Sequence, residues 1–243
     1  MEQKLVVEFG VDKEIEKDYG YVEKYLTYRN NTIPYKAITR KGQFLAIVSR
    51  KYHLIENERV IDICKEIAEK NNYNINIVEY FTRVHVFLES GDVGFVVHNS
   101  VDGSYALRID VFVRLSKDVK TIFKLKGLEQ VYRKHFGSAK IVVEDLDEII
   151  KELEDKVDDY WYFINKMDTI NAKDRYEELK VLEEILPKRY VVDALHAIHN
   201  GITLKRVYEK VASSIWTADI DMKTKVQYFD TLNQLMFAVV GWE

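Results

Sequence analysis

The central stretch of the chain is Phe95-Val-Val-His-Asn-Ser-Val-Asp-Gly-Ser-Tyr-Ala-Leu-Arg-Ile-Asp-Val-Phe-Val-Arg-Leu115. Its second half alternates regularly between apolar and mainly polar positions, and a period of two over that length predicts a β-strand. The residues that share the apolar face are Tyr105, Leu107, Ile109, Val111, Val113 and Leu115. The apolar run before the turn predicts a second strand, and Asp102-Gly103 favours a hairpin between the two. This stretch therefore places an antiparallel sheet at the centre of the fold.

Other strands and one helix surround this hairpin in the N-terminal half. Apolar, β-favouring or alternating runs predict strands at residues 4–9, 35–40, 44–51, 74–79, 82–89 and 93–99. Lys41-Gly42 marks a second hairpin turn. Asn57 is the predicted cap of a helix over residues 58–71, whose apolar positions lie on one face: Val60, Ile63, Cys64 and Ile67. Residues 10–32 are charged and rich in tyrosine, and they show no clear period.

The character of the chain changes at Lys117. Residues 117–143 are strongly basic, and residues 144–243 show the period of amphipathic helices, one of them with Thr203 as its cap. The sequence thus predicts an α+β fold with an N-terminal antiparallel β-meander that contains one helix, followed by an all-helical C-terminal half. We predict a sheet domain over 1–116, a basic junction over 117–143 and a helical region over 144–243, folded as one integrated unit.

Composition excludes several classes of protein. The chain has 243 residues, of which 47% are hydrophobic and 31% charged, as in ordinary globular proteins. No apolar run approaches the roughly 20 residues of a membrane helix, and the first residues lack a signal-peptide core, so we expect a cytoplasmic protein away from membranes. The single cysteine, Cys64, excludes an internal disulfide. A net charge of −4 argues against a wholly basic nucleic-acid coat but permits a local basic face. Abundant Lys, Glu, Ile and Tyr fit a thermophile or an AT-rich genome.

A family resemblance is carried by Asn99-Ser-Val-Asp-Gly-Ser-Tyr-Ala-Leu-Arg108. This segment resembles the Asn-Ser-His-Asp-Gly-Ser…Arg signature of the phage/plasmid-like proteins grouped as domain of unknown function 932. Looser similarities follow in the same order at Val48–Asn57, Arg133–His135 and Thr203–Trp216. The resemblance implies a gene carried by mobile elements, such as viruses or plasmids, and no particular activity.

The chain departs from that family at two places. Val101 stands where the family has histidine, and Val113–Lys117 replaces the usual Cys-Asn element. A more distant similarity, in layout alone, is to the single-strand annealing proteins of recombination, which also place a helix before a β-meander with a basic groove beside it. That layout implies a role in strand annealing or in replication and recombination.

Two polar residues at the flanks of the central turn are candidates for binding. Turn chemistry accounts fully for Asp102 and Gly103, but less well for Asn99 and Arg108. An alternative role for these two flanks is to grip a phosphate or the backbone of another chain. Arginine suits phosphate because its planar guanidinium bonds two oxygens at once.

The strand after the turn carries a candidate nucleic-acid platform. Arg108, Phe112 and Arg114 project from one face, where cations would meet the backbone and the ring would stack on a base. The same pattern also suits a solvated sheet face, or a surface under the helices with Phe112 in the core and Asp110 paired to an arginine. Basic residues that would extend the platform follow directly, although such runs are often only solvated: Lys117, Lys120, Lys124, Arg133, Lys134 and His135.

Catalytic patterns are sparse. His98, Asp102 and His135 could together bind a metal in a hydrolase, but no paired-histidine motif supports such a site in the sheet half. Phosphate-binding loops, dinucleotide fingerprints and Gly-x-Ser-x-Gly elbows are absent from the sequence. We therefore predict no catalytic residue, no bound metal and no cofactor.

The leading hypothesis is a protein that binds nucleic acid, with single-stranded DNA favoured, and acts as a homo-oligomer; whether it is also an enzyme stays open, although the sparse catalytic patterns argue against it. The alternative is a protein-interaction or regulatory module. In that case the predicted helix Asp145–Met167 would dock its wide apolar stripe on a host protein or on a second copy of the chain.

Overall fold

The computed structural model describes residues 9–105, 107–124 and 146–242. It confirms the predicted α+β class, with antiparallel sheets in the N-terminal half and helices in the C-terminal half. The strands of the first sheet, in the order in which they pair, are β1 (Gly10–Glu16), β2 (Tyr21–Tyr28), β3 (Asn31–Arg40) and β4 (Gln43–Ser49). Those of the second are β5 (Asn74–Glu79), β6 (Arg83–Ser90), β7 (Val93–Ser100), β8 (Arg108–Ser116) and β9 (Val119–Phe123).

One helix lies between the sheets in sequence, and the others follow them. The α-helices are α1 (Asn57–Asn71), α2 (Leu146–Lys166), α3 (Tyr176–Leu179), α4 (Leu182–Ile185), α5 (Lys188–Ile198), α6 (Leu204–Thr217) and α7 (Met222–Val240). The described residues divide into two compact units. The first holds residues 9–87, 97–105, 107–109, 146 and 147, and the second holds 88–96, 110–124 and 148–242. Strands β6, β7 and β8 contribute residues to both. Across the described residues, no helix combines the length and the apolar character needed to cross a membrane.

The first sheet belongs to the first unit and confirms the predicted hairpin between β3 and β4. Gly42 takes a φ of +80° in the turn, a conformation that glycine adopts without steric cost. Residues 10–32, which showed no clear period, form β1 and β2. Residues 4–8 of the predicted first strand lie outside the described residues. The buried face of this sheet forms a core cluster of Tyr21, Ile38, Ala46, Val48, Tyr52 and Val101.

An ion pair lies inside this sheet. Lys36 Nζ donates to Glu23 Oε1 at 2.7 Å, with the two side chains 3% and 4% exposed. Buried charges of this kind persist when each has a partner of opposite sign within hydrogen-bond distance. The pair explains how charged residues occupy inward positions of β2 and β3.

Helix α1 carries its apolar stripe inward, as the periodicity predicts. Val60, Cys64 and Ile67 are buried, and burial raises the pKa of the Cys64 thiol to about 12, so the thiol stays protonated. The predicted cap is wrong by one residue. Glu56 occupies the N-cap position, and Asn57 is the first residue of the helix. The Asn57 side chain instead accepts a hydrogen bond from Asn99 on β7.

The second unit packs two helices on the last strand, which the sequence did not predict. Strand β9 lies within the segment predicted to be a basic junction. Its β-favouring run is short and has lysines on either side, so the basic composition dominated the prediction. Tyr208 of α6 donates to Asn233 Oδ1 of α7 at 2.6 Å, and Asn233 donates to the carbonyl oxygen of Ile122 on β9 at 2.8 Å. The Thr121 hydroxyl extends this series of hydrogen bonds and lies 2.5 Å from the Tyr208 hydroxyl. A buried polar chain therefore ties both helices to β9.

We expect Tyr208→Phe to lower the free energy of unfolding by about 1–2 kcal/mol, because Asn233 then loses its buried donor. Urea unfolding monitored by circular dichroism measures the change. Tyr162→Phe is the matched control, since that side chain is 63% exposed. Equal midpoints for the two variants would contradict a stabilising role for the chain of hydrogen bonds.

The apolar stripe of helix α2 packs inside the second unit. Ile150, Leu153 and Phe163 are fully buried in the second unit. The Phe163 ring lies 4.6 Å from that of Phe237 on α7 and 6.1 Å from that of Phe123 on β9. The interpretation of this stripe as a free docking face for another protein is therefore wrong.

Candidate nucleic-acid interface

A short turn between β5 and β6 presents two aromatic side chains to solvent. Tyr80 is 43% exposed and Phe81 is 60% exposed. The turn is tight, because the Tyr80 amide donates to the carbonyl oxygen of Arg83 at 2.8 Å. Large aromatic side chains that are this exposed are uncommon on a folded surface and often mark a binding site.

The loop after β7 holds this turn in place. Thr82 donates through its hydroxyl to Asp102 Oδ2 at 2.7 Å, and Arg83 Nε donates to Ser104 Oγ at 2.9 Å. The Val101 amide also donates to the Thr82 carbonyl oxygen at 2.9 Å. Three hydrogen bonds thus fix the aromatic turn against the Asn99–Arg108 segment, the part of the chain that carries the family resemblance.

The loop itself is shaped by local side-chain hydrogen bonds, as its composition predicts. Asp102 Oδ1 accepts from the Ser104 amide at 2.8 Å, and Gly103 takes a φ of +70°. Ser100 Oγ accepts from the Tyr105 amide at 2.9 Å. Partial burial alone would raise the pKa of Asp102, but hydrogen bonds from Ser104 and Thr82 outweigh it and lower the pKa, so the carboxylate is ionised.

Beneath the aromatic turn lies a buried pair of histidines. His85 of β6 and His98 of β7 are fully buried, with their Nδ1 atoms 2.5 Å apart. One Nδ1 must donate and the other accept, so at least one ring is neutral. Burial, together with the positive charges of His98, Arg83 and Arg108, lowers the pKa of His85 to about 2. His85 therefore stays neutral at physiological pH.

The histidines are part of a series of rings that runs from solvent to an arginine. The Tyr80 ring lies 5.7 Å from that of His85, and the His98 ring lies 5.3 Å from that of Tyr105. Arg108 places its guanidinium 5.3 Å from the centre of the Tyr105 ring. A cation over a ring in this way is stabilised by the electron density of the ring face.

Two arginines and an ionised carboxylate lie at this end of the sheet. Asp102 belongs to the loop that holds the turn, and Arg83 and Arg108 are both half-buried. With Tyr80 and Phe81, they form a surface that we call the aromatic turn site. It combines rings for stacking with guanidiniums for phosphate, the two elements that bind single-stranded nucleic acid.

Comparison with known proteins does not extend this description. No protein-family model, curated protein or solved structure matches the chain. The resemblance to domain of unknown function 932 therefore stays a prediction from a short motif.

Asn99, a predicted binding residue, has a structural role. It is fully buried, and its Nδ2 donates to the Ile55 carbonyl oxygen at 3.0 Å and to Asn57 Oδ1 at 2.8 Å. These bonds join β7 to the beginning of α1. The prediction that Asn99 grips a phosphate is therefore wrong.

Phe112 is likewise unable to stack on a base. Its side chain is fully buried in the second unit, against Gly94 of the neighbouring strand. A side chain at position 94 would collide with the Phe112 ring and with the Leu88 carbonyl oxygen, so only glycine allows the ring to sit there. Phe112 belongs to the core, as one of the two sequence-based interpretations held.

Arg114 and Lys120, also predicted to bind nucleic acid, share one carboxylate. Both form an ion pair with Glu89 of β6, and Lys120 and Glu89 are each less than a tenth exposed. Lys120 Nζ also lies 5.1 Å from the centre of the Phe112 ring. Within the second unit, one carboxylate therefore engages both of these cations.

The remaining predicted residues divide into two groups. Lys117 and Lys124 are exposed in the second unit, and Lys124 lies 3.7 Å from Asp230 on α7. Arg133, Lys134 and His135 lie outside the described residues. Of the predicted platform, Arg108 lies in the first unit, with its guanidinium over the buried Tyr105 ring.

The residues considered for a metal site make other contacts where the structure describes them. His98 pairs with His85, and Asp102 holds Thr82 and Ser104. His135 lies outside the described residues. Within the parts of the chain that the structure describes, no three His, Cys, Asp or Glu side chains are grouped so that they could hold a metal ion.

Sequence reasoning missed Tyr80, Phe81 and Arg83. The signal was present as Tyr80-Phe81-Thr82-Arg83, two aromatic residues and an arginine between two predicted strands. It was overlooked because large aromatic residues near strands are usually buried.

Proposed function

We propose that the protein binds single-stranded nucleic acid, with single-stranded DNA favoured, through the aromatic turn site. Tyr80 and Phe81 would stack on successive bases, and Arg83 and Arg108 would contact phosphates. The observation that carries the proposal is the exposure of two aromatic side chains, consecutive in the sequence, in a unit that also holds the half-buried Arg83 and Arg108. The Asn99–Arg108 segment would position this turn.

The biological setting that we propose, a mobile element such as a virus or plasmid, follows from the sequence resemblance. A non-enzymatic protein of a virus or plasmid, acting in the cytoplasm as a homo-oligomer, would anneal strands or assist replication and recombination. Many copies along one strand would bind cooperatively, as such proteins commonly do. Light scattering of the purified protein, alone and with long single-stranded DNA, would measure the size of its assemblies. A pull-down experiment would then test for contact with a host protein.

We expect Phe81→Ala to weaken binding to an oligothymidine about tenfold, because stacking on one ring contributes roughly 1–3 kcal/mol per base. We expect Arg108→Ala to weaken binding as well, and to reduce the slope of log Kd against log salt by about 0.7 if one phosphate contact is lost. Fluorescence anisotropy of a labelled oligothymidine at graded salt concentrations measures both quantities.

Matched controls are available for both variants. Phe44 is 56% exposed and lies in the same unit, so Phe44→Ala should leave affinity unchanged. Arg206 is an exposed arginine of the second unit, and Arg206→Ala should leave the salt slope unchanged. Absence of binding at low salt would refute the proposal, as would equal effects of Phe81→Ala and Phe44→Ala.

A further inference from the structure

Strand β4 (Gln43–Ser49), at one side of the first sheet, pairs with β3 along one edge. Among the described residues, no strand lies along its other edge. None of its residues is charged, whereas β1, at the opposite side of the sheet, carries Asp12, Lys13, Glu14 and Glu16. Charged side chains on an edge strand oppose its pairing with another chain. Strand β4 lacks this protection.

The hydrogen bonds between β3 and β4 show which backbone groups point to the outer edge. The Arg50 amide donates to the Pro34 carbonyl oxygen at 3.0 Å. Along an antiparallel pair, successive residues alternate between bonding to the neighbouring strand and pointing away from it. In the observed register, Val48 therefore bonds to β3, and the amide and carbonyl groups of Ile47 point away from it. Ile47 thus presents a donor and an acceptor at the outer edge.

Exposed apolar side chains lie on one face of the sheet beside these groups. Ile47 stands opposite Ala37 on β3, and Tyr35 lies two positions before Ala37 and so on the same face. Phe44 stands opposite Thr39, again on that face. The side chains of Tyr35, Phe44 and Ile47 are each about half exposed. We call these three residues the edge stripe, and an exposed apolar group of this kind is typical of an interaction surface.

A second copy of the chain fits this edge because β4 is complementary to itself. When two β4 strands pair antiparallel about a two-fold axis at Ile47, each Ile47 amide donates to the Ile47 carbonyl oxygen of the other copy. The two edge stripes then lie next to each other on one face. In this register Lys51 stands opposite Gln43 of the other copy, so like charges do not meet along the paired strands.

We propose that the protein forms a two-fold dimer in which the β4 edges of two copies pair and join their first sheets into one continuous sheet. Backbone hydrogen bonds at Ile47 would set the register, and contact between the edge stripes would add apolar burial. The inference rests on the proposed function only in its expectation of a homo-oligomer. The interface shares no residue with the aromatic turn site and requires no nucleic acid.

Sedimentation equilibrium without nucleic acid, at protein concentrations up to about 100 μM, tests the dimer. We expect the mass of the natural protein to rise from one chain to two as the concentration increases. Ile47→Lys and Ile47→Glu should each weaken association about tenfold or more, because like charges would meet across the two-fold axis. An equimolar mixture of the two variants should restore association, since opposite charges then face each other.

Two further variants complete the test, and circular dichroism checks that every variant is folded. Ile47→Pro removes the outer amide without adding charge and should also weaken association. Val11→Lys changes an exposed apolar residue of β1 and should leave association unchanged. A natural protein that stays monomeric, a dimer that survives Ile47→Lys, or a mixture that associates no better than either variant would overturn the inference. A dimer that fails to bind oligothymidine would overturn only the proposed function.

Discussion

Glu89→Gln should lower the free energy of unfolding by about 3 kcal/mol, the largest effect that we expect from one substitution. Glu89 is nine-tenths buried and forms ion pairs with both Arg114 and Lys120 in the second unit. Glutamine keeps the shape of the side chain but removes the charge. The Lys120 ammonium, 7% exposed, would then lose its ion pair with Glu89 inside the protein. Urea unfolding at neutral pH measures the loss.

Glu177→Gln provides the contrast. Glu177 pairs with Lys180 three residues further along the chain, and both side chains are largely exposed. Such surface pairs contribute little, so we expect a change below about 0.5 kcal/mol. Similar losses in the two variants would show that the Glu89 ion pairs do not hold the second unit together. Arg114 and Lys120 would then become available again as candidates for nucleic-acid contact.

Acidification should destabilise the protein through His85, by about 2 kcal/mol between pH 7 and pH 5. The pKa of His85 falls from 6.5 to about 2 in the folded protein, chiefly because the ring is buried. Below pH 6.5 the unfolded chain binds a proton that the folded protein does not. Stability is therefore complete above pH 6.5 and falls by about 1.4 kcal/mol per pH unit as the pH drops.

Chemical denaturation at several pH values between 7 and 5 measures this slope. The double variant His85→Leu/His98→Leu removes the buried imidazoles and should show a shallower slope than the natural protein. His196→Gln changes an exposed histidine and should leave the slope unchanged. The same slope in all three proteins would mean that the pair is not a source of acid sensitivity. The three proteins have the same Asp and Glu residues. The difference between their slopes therefore reports the histidines and not the titration of carboxylates.

Both predictions concern polar groups that alternation along a strand cannot place. Arg108, Asp110, Phe112 and Arg114 occupy one face of β8, and a face of that composition is commonly wet in an antiparallel sheet. Here Asp110 and Phe112 are fully buried. Glu89 on another strand forms ion pairs with Arg114 and Lys120, and such pairing between distant positions has no signal in a single sequence.

The candidate site shows the same limit. The composition of Asn99–Arg108 predicts its turn, because asparagine, aspartate and glycine bond and bend locally. The contacts of this segment could not be predicted. Asp102 and Ser104 accept hydrogen bonds from Thr82 and Arg83, some twenty positions earlier in the chain. The Tyr80 and Phe81 rings become candidates only when their exposure is known.

The sequence by itself determined the α+β class, the β3–β4 hairpin, most strands of the second sheet and the positions of the long helices. These features follow from local periodicity and turn chemistry, which each segment carries within itself. Only the tertiary structure decided that Asn99 and Phe112 are internal, that Lys120 is neutralised, and that Tyr80, Phe81 and Arg108 share one unit. Burial and pairing depend on contacts between segments far apart in the chain, and these are set by packing rather than by local pattern.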